Sequence, residues 1–377
     1  MLGRVAGWVA PRPDRVAPPA RLGIAVAGEL DRASGLGEGA RLMLRGLEAL
    51  GVPCWEAGPG RAMPPPGVPL VVHGNAAALP LDMLRLGRGL VRGRRVIGVW
   101  PWELPVVPGG WAAGFGFVHE VWAPSRFSAD AVGRAAPAGF PAVRVVPYPV
   151  ACGVFDATPA VLDVPAGAVV TLVVFNLASS FARKNPLAAI AAHRQAFGAR
   201  ADRVLLIRVG NPADFPADFA RLREAAADLP NVRFDTRTLA RHEALSAMAA
   251  CDIVLSLHRS EGFGLVPAEA MMLEKAVVAT AWSGTADFLD ARWSVPVASR
   301  LVPAVDPRGV FMAPGAVWAE PDVAEAAHAL VRLADDAGER RRLGMAARSA
   351  AQRLLGPAAL AEAICGLGLP VPGLPGP

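Results

Sequence analysis

Short apolar runs alternate with stretches of helical period twice along this chain, and that alternation limits the fold more than any other feature. In the first half, "RLGIAVAGEL" reads as a strand entering the glycine-rich turn "DRASGLGEGA", and "EGARLMLRGLEALG" as an amphipathic helix closed by Gly51. "PLVVHGN", "RRVIGVW" and "HEVWAPS" are short apolar runs ending in turn or polar residues, as parallel strands do where loops leave their carboxyl ends, and "VRVVPYPV" ends the half. The periodicity lapses around "ACGVFDATPAVLDVPAGA", where a linker is expected. Then strand and helix signals alternate again. "VVTLVVFN", "RVLLIRVG", "NVRF", "CDIVLSL" and "AVVAT" read as strands, with helices between them and further helices from "DVAEAAHALVRLADD" onward. The expectation is an α/β protein of two doubly wound, Rossmann-like domains, residues 1–155 and 165–345, facing across a cleft. A C-terminal helix and loose tail are expected over 346–377.

Composition narrows the classes. The 377 residues suffice for two cores, and 53% apolar against 19% charged residues points to a globular chain. Cys54, Cys152, Cys251 and Cys365 lie far apart without a CxxC or a cysteine–histidine cluster, which argues against a disulfide framework or a zinc site and fits a reducing cytosol. The opening "MLGRVAGWVAPRPDR" lacks the apolar core of a signal peptide, and the longest uncharged stretches are broken by Pro, Gly, Asn and Ser, so a cytoplasmic location is expected. A net charge of +5 permits contact with phosphates or an acidic membrane surface, but the basic residues are dispersed and no nucleic-acid module is recognisable. Only Lys184 and Lys275 among 38 basic residues are lysines, so a retained lysine marks a place for a compact ammonium.

The stretch "LHRSEGFGLVPAEAMMLEKAVVAT" concentrates the chemistry. If Leu257 ends a strand, "HRSEGFG" is the loop at its carboxyl edge and Pro267 suits the first turn of the next helix. The amides of Gly262, Phe263, Gly264, Leu265 and Val266 then crowd a helix start, an anion site by geometry and dipole, where the glycines admit close backbone approach. A glutamate there must bind something other than phosphate. Glu269 is placed to accept from a ribose diol and Glu261 from sugar hydroxyls. A charged loop capping a core helix is the plainer alternative.

"SEGFGLVPAEAM" is similar to the E-x7-E signature of retaining glycosyltransferases of the GT-B fold, family 4. "TAWSGTADFL", "SGLGEGAR", "WPWELPVVPGGW", "HEVWAPSRFSADAV", "FARKNP" and "WAEPD" resemble that family too, in order over nearly the whole chain. The resemblance implies a retaining, metal-independent hexosyl transfer in polysaccharide biosynthesis. The nucleotide-sugar donor is then a co-substrate, no cofactor is needed, and the acceptor is a saccharide or lipid-linked hydroxyl met with peripheral membrane contact. It assigns Glu261, Lys184 and Glu103 to catalysis. Lys184 neutralises the departing diphosphate, with a surface pair before a helix as its alternative. Glu103, at a strand end where many members carry a histidine, is the candidate there for a sugar ligand or for shaping the acceptor site, with a packing turn as its alternative.

The same resemblance places Gly35, Gly37, Arg183, His258, Arg259, residues 262–266 and Glu269 about the donor, with Arg237 and Thr238 rimming the nucleobase. The chain departs from the family where an arginine upstream of the lysine would fall, at Ala178 and Ser179, which leaves the role of Arg183 open. His258 and Arg259 have pairing with nearby carboxylates as their alternative, and Gly35 and Gly37 a plain strand–helix turn. The chain contains no D-x-D pair, so a metal-bridged diphosphate is not expected. A non-enzymatic sugar-nucleotide-binding protein on the same fold and a nucleotide-sugar epimerase are the rival readings.

Overall fold

The computed structural model describes residues 8–372 as two compact α/β units. The first runs to Gly153 and takes up the chain again from Leu355; the second is Val154–Leu354. The expected absence of a signal peptide falls partly on residues 1–7, outside the described residues.

In the first unit, β1 (Ile24–Ala27), β2 (Cys54–Ala57), β3 (Leu70–His73), β4 (Val96–Val99), β5 (Glu120–Ala123) and β6 (Arg144–Val145) form one parallel sheet in the order β2-β1-β3-β4-β5-β6. β1, β3 and β4 are buried at every position because helices cover both faces, which is why they read as unbroken apolar runs. Helix α1 (Gly35–Ala49) returns the chain from β1 to the edge strand β2, and α2 (Leu79–Leu86) and α3 (Arg126–Ala135) follow β3 and β5. The strand "CWEA" is the one the periodicity did not announce, since only Ala57 is buried on this edge. The tail is anchored further than expected: Leu369 and Val371 are buried. The last residues expected to be loose, 373–377, lie outside the described residues.

The second unit repeats the plan. β7 (Val169–Asn176), α4 (Phe181–Lys184), α5 (Pro186–Phe197), β8 (Arg203–Gly210), α6 (Pro216–Ala225), β9 (Val232–Asp235) and α7 (Arg241–Ala249) build one half. β10 (Ile253–Ser256), α8 (Leu265–Met272), β11 (Ala276–Thr280) and β12 (Val295–Val297) build the other. The six strands are parallel in the order β12-β11-β10-β7-β8-β9. Counted from β7 this is 3-2-1-4-5-6, whose order reverses between β7 and β10, and open α/β sheets take ligands beyond the strand ends at such a point. Val173, Phe175, Leu205, Ile207, Leu255 and Val278 form the strand side of the core, with Ile190 and Leu330 packed on them.

The edge strand β12 was not expected, nor was a separate hairpin. β13 (Ser299–Pro303) and β14 (Val317–Pro321) form a separate antiparallel pair in register Ser299↔Pro321 to Pro303↔Val317. Helices α9 (Val323–Asp335) and α10 (Ala337–Leu354) complete the unit, and α11 (Ala358–Cys365) belongs to the first. Among the described residues no helix is long and apolar enough to cross a membrane.

Candidate active site at the strand-order reversal of the second unit

The segment after β7 turns sharply before it can start a helix. Ser180 sits at φ +75°, a conformation costly for a residue with a Cβ, and its Oγ accepts from the Arg183 amide at 3.2 Å. The single turn Phe181–Lys184 that follows places Arg183 inward and Lys184 at the rim. The segment after β10 ends its strand at Ser256, and the loop 257–264 leads into α8. Because β7 and β10 are neighbours, the two segments meet.

Glu261 is where they join. Its Oε1 accepts from Lys184 Nζ, and its Oε2 lies 3.3 Å from Arg183 Nη1. Arg183 also donates to Ser260 O at 2.8 Å and Ser179 O at 2.9 Å, and its guanidinium lies 4.9 Å from the centre of the Phe311 ring. Burial pushes the Glu261 carboxyl up, but Lys184, Arg183 and His258 together hold it down, to about 2. It is a carboxylate at any physiological pH. The side chain of Arg183 is only 4% exposed whereas that of Lys184 is 19% exposed, so the arginine backs Glu261 and the lysine is the cation within reach of a ligand.

Of the amides expected over Gly262–Val266, the last three stand at the start of α8. Gly264 is the N-cap of α8, and a glycine has no side chain to fold back on the first turn. Among the described residues the amides of Gly264, Leu265 and Val266 donate to no protein acceptor. Pro267 sits within the first turn, where its missing N–H costs nothing. Gly264 has φ +101°, and a Cβ there would come within 2.4 Å of Thr285 Cγ2. The loop after β11 presses on the same place: Ser283 Oγ accepts from the Glu261 amide at 2.9 Å, and Gly284 N donates to Glu261 O at 2.9 Å. A Cβ on Gly284 would meet the Gly262 carbonyl at 2.6 Å, which gives "TAWSGTADFL" a packing reason for its glycine.

Other expected residues have other surroundings. Phe263 is buried against Phe288, with ring centroids 5.5 Å apart. His258 is buried and bridges Ser256 Oγ at 3.0 Å and Thr285 Oγ1 at 3.2 Å, and burial lowers it to about 4. Arg259 donates to Glu320 Oε2 and to Ala182 O, both at 2.7 Å, the carboxylate pairing held open as its alternative. Arg237 is exposed and doubly bonded to Asp235, at 2.9 and 3.0 Å, with Thr238 exposed beside it.

In the first unit, Ser34 caps α1 through the Gly37 amide at 3.0 Å. A Cβ on Gly37 would strike the Glu29 and Arg32 carbonyls at 2.3 and 2.7 Å, so the turn explains that glycine by itself. Gly35 is exposed at the start of α1. Glu103 is half-buried after β4, and after burial its charge is the second influence raising the Tyr148 hydroxyl above its usual range. His73 is buried, set against Met43 Sδ at 3.3 Å and stacked on Tyr148, and burial lowers it to about 3.

Two contributors were not foreseen. Asp306, in the loop between β13 and β14, is buried and accepts from Ser180 Oγ at 3.0 Å and from the Val310 and Phe311 amides at 3.0 and 3.1 Å. It thereby holds the turn that presents Lys184. Arg241, at the start of α7, donates to Glu269 Oε1 at 2.6 Å. The aspartate lies in an aperiodic stretch and the arginine belongs to a different helix, so neither carried a local signal.

Residues 172–336 match the family model of group 1 glycosyl transferases. No curated protein sequence is similar enough to match the chain. Among solved structures, HepE of Anabaena in complex with UDP-glucose superimposes with a TM-score of 0.61 at 14% identity, over 91% of this chain and 98% of HepE. A glycosyltransferase from Rickettsia africae gives 0.61 at 12% identity, over 92% and 99%. TarM of S. aureus gives 0.56 at 12%, over 80% of this chain and 55% of TarM, so this chain spans about half of that protein. The chain is therefore an α/β protein of GT-B architecture. Within its second unit, residues 172–336 are similar to the group 1 glycosyl transferases, and the Lys184–Glu261 pair and the uncapped amides fall inside that stretch.

Proposed function

We propose that the protein transfers a glycosyl group from a nucleoside-diphosphate sugar, a UDP- or GDP-sugar, to a hydroxyl of a saccharide or lipid-linked acceptor, with retention at the anomeric carbon. The observation that carries this is the placement of Lys184, Glu261 and the uncapped amides of Gly264–Val266 together at the strand-order reversal of one sheet. Amides at a helix start and a neighbouring ammonium suit a diphosphate, whose charge grows as the bond to the sugar breaks. Glu261, held as an anion, suits the hydroxyls of the sugar, and Glu269 the diol of the ribose. HepE was solved with UDP-glucose and TarM with UDP, which supports a uridine nucleotide as the first to try.

In this reading the anomeric C–O bond to the diphosphate breaks and a C–O bond to the acceptor forms on the same face. The acceptor's proton passes to a leaving phosphate oxygen. Lys184 and the amides hold the departing diphosphate, while Arg183 keeps Glu261 in place. Glu103 serves the acceptor side, in the first unit. The charge is balanced by protein cations and amides, so the reaction is read as metal-independent. A net charge of +5 supports peripheral contact with an acidic membrane if the acceptor is lipid-linked.

The test is release of free nucleotide from UDP-glucose and GDP-mannose by the purified protein, with and without Lys184→Ala. Slow release that the substitution abolishes supports transfer. Tight binding with no release would make this a sugar-nucleotide-binding protein, and an altered sugar still joined to its nucleotide would make it an epimerase.

A further inference from the structure

Arg241 raises a question that the donor reading leaves open. Glu269 sits in the second turn of α8, close behind the uncapped amides, and an isolated carboxylate there would oppose any phosphate held by those amides. The structure answers it from another helix. Arg241 is the first residue of α7, which follows β9, as α8 follows β10. In a parallel sheet of this kind both helix starts lie at the carboxyl edge, where ligands bind.

Arg241 Nη1 donates to Glu269 Oε1 at 2.6 Å, and the Glu269 side chain is only 9% exposed. A charge-assisted bond of that length on a buried carboxylate fixes its orientation as well as cancelling its charge. The guanidinium is itself confined, lying 5.9 Å from the centre of the Phe155 ring. With Lys184 and Arg183 on Glu261 and Arg241 on Glu269, each acid of the site has a cation of its own. The field at the amides is then set by the cations and the helix start.

We propose that Arg241 is a positioning residue for the nucleoside end of the donor. It holds Glu269 so that the carboxylate meets the vicinal 2′- and 3′-hydroxyls of a ribose, and it makes the site discriminate ribose from 2′-deoxyribose. The proposal rests on the reading above that a nucleoside diphosphate binds here. It adds a source of specificity that lies in α7, outside the E-x7-E segment. A rigid acceptor bonded to both hydroxyls rejects the analogue that lacks one, because its own oxygen is then left without a donor.

The experiment is calorimetric titration of the full chain with UDP, 2′-deoxy-UDP, GDP and 2′-deoxy-GDP. It uses the wild type, Arg241→Gln, Arg241→Lys and Glu269→Gln, with melting temperatures measured alongside. Wild type should favour the ribonucleotide by about tenfold or more, the worth of one charged hydrogen bond. Arg241→Gln should bring that ratio to within about threefold by weakening the ribonucleotide alone, as Glu269→Gln should, since either leaves the diol without a fixed acceptor.

Arg241→Lys should restore part of the ratio, because it supplies the charge without the planar fork, and it keeps the test open should Arg241→Gln fail to fold. If nucleoside diphosphates bind and both folded Arg241 variants keep the wild-type ratio, the role of Arg241 is wrong while the donor reading stands. If none of the four nucleotides binds the wild type, the donor reading falls and this proposal falls with it.

Discussion

Lys184 Nζ donates to Glu261 Oε1 across 77 positions of sequence, and the bond closes the gap between the segments after the neighbouring strands β7 and β10. The Lys184 ammonium is therefore held by the acid beside it. In the donor reading proposed above, a diphosphate draws the ammonium toward itself while Arg183, 3.3 Å from the other carboxylate oxygen, keeps Glu261 where it is. The two basic residues differ in place, Lys184 at the rim and Arg183 buried behind.

Removing the rim cation should therefore damage turnover more than stability. Lys184→Ala is expected to lower nucleotide release by about 10²–10³-fold, the range for loss of one donor that meets growing charge. Its melting temperature should stay close to wild type, because Arg183 still pairs Glu261. Lys184→Arg should recover only part of the rate, since a planar fork does not replace a compact ammonium. Steady-state assays beside thermal melts check both halves, and wild-type turnover by Lys184→Ala would remove the lysine from the mechanism.

Gly264→Ala should both unfold the loop locally and spoil the amide cluster. Its φ of +101° disfavours a Cβ, and that Cβ would lie 2.4 Å from Thr285 Cγ2. The expected loss is about 2–3 kcal/mol of stability, with weaker UDP binding in whatever folds. Urea midpoints at an unchanged denaturant slope are the measurement.

His258 should stay neutral throughout the physiological range. Burial lowers it from the usual 6.5 to about 4, so the unfolded chain binds more protons between those values. Its contribution to stability is complete above pH 6.5 and is lost as the pH falls toward 4. Glu261 acts in the next window down, lowered from 4.5 to about 2, and its contribution is lost as the pH falls through that interval. Two-dimensional NMR of the imidazole should show no titration of His258 above pH 5.5. Glu261→Gln should flatten the stability–pH curve below 4.5, and an unchanged slope there would contradict the ion cluster.

The turn before Lys184 should depend on the β13–β14 loop. Asp306→Ala deprives Ser180 Oγ and two buried amides of their acceptor, a loss of roughly 3 kcal/mol. Ser180→Gly should cost less than Ser180→Ala, because glycine tolerates φ +75° whereas alanine keeps the strain and loses the hydroxyl. Denaturant titration of the three variants gives the order, and Ser180→Ala more stable than Ser180→Gly would contradict it.

Much of this molecule could be read locally. "VVTLVVFN", "RVLLIRVG" and "AVVAT" are strands over those same residues, since continuous apolar runs bounded by turns are what a sheet covered on both faces requires. Pro267 and the glycines before it likewise announced a helix start, because helix-start chemistry is decided within a few residues. The edge strand "CWEA" and the β13–β14 hairpin were invisible for the converse reason. Neither is buried on both faces, so neither imposes a period.

What lay beyond local pattern was partnership. Nothing near Lys184 says that Glu261 will stand against it, nor does anything in α8 foretell Arg241. Those pairs exist because a parallel sheet orders its strands by crossover connections, and the order that brings β10 beside β7 is a property of the assembled core. The chain's own period specifies strands, helices and a glycine-capped helix start. Which charges face one another at the strand ends is settled only when the sheet closes, because burial on both faces fixes each strand's neighbours and so the company its loops keep.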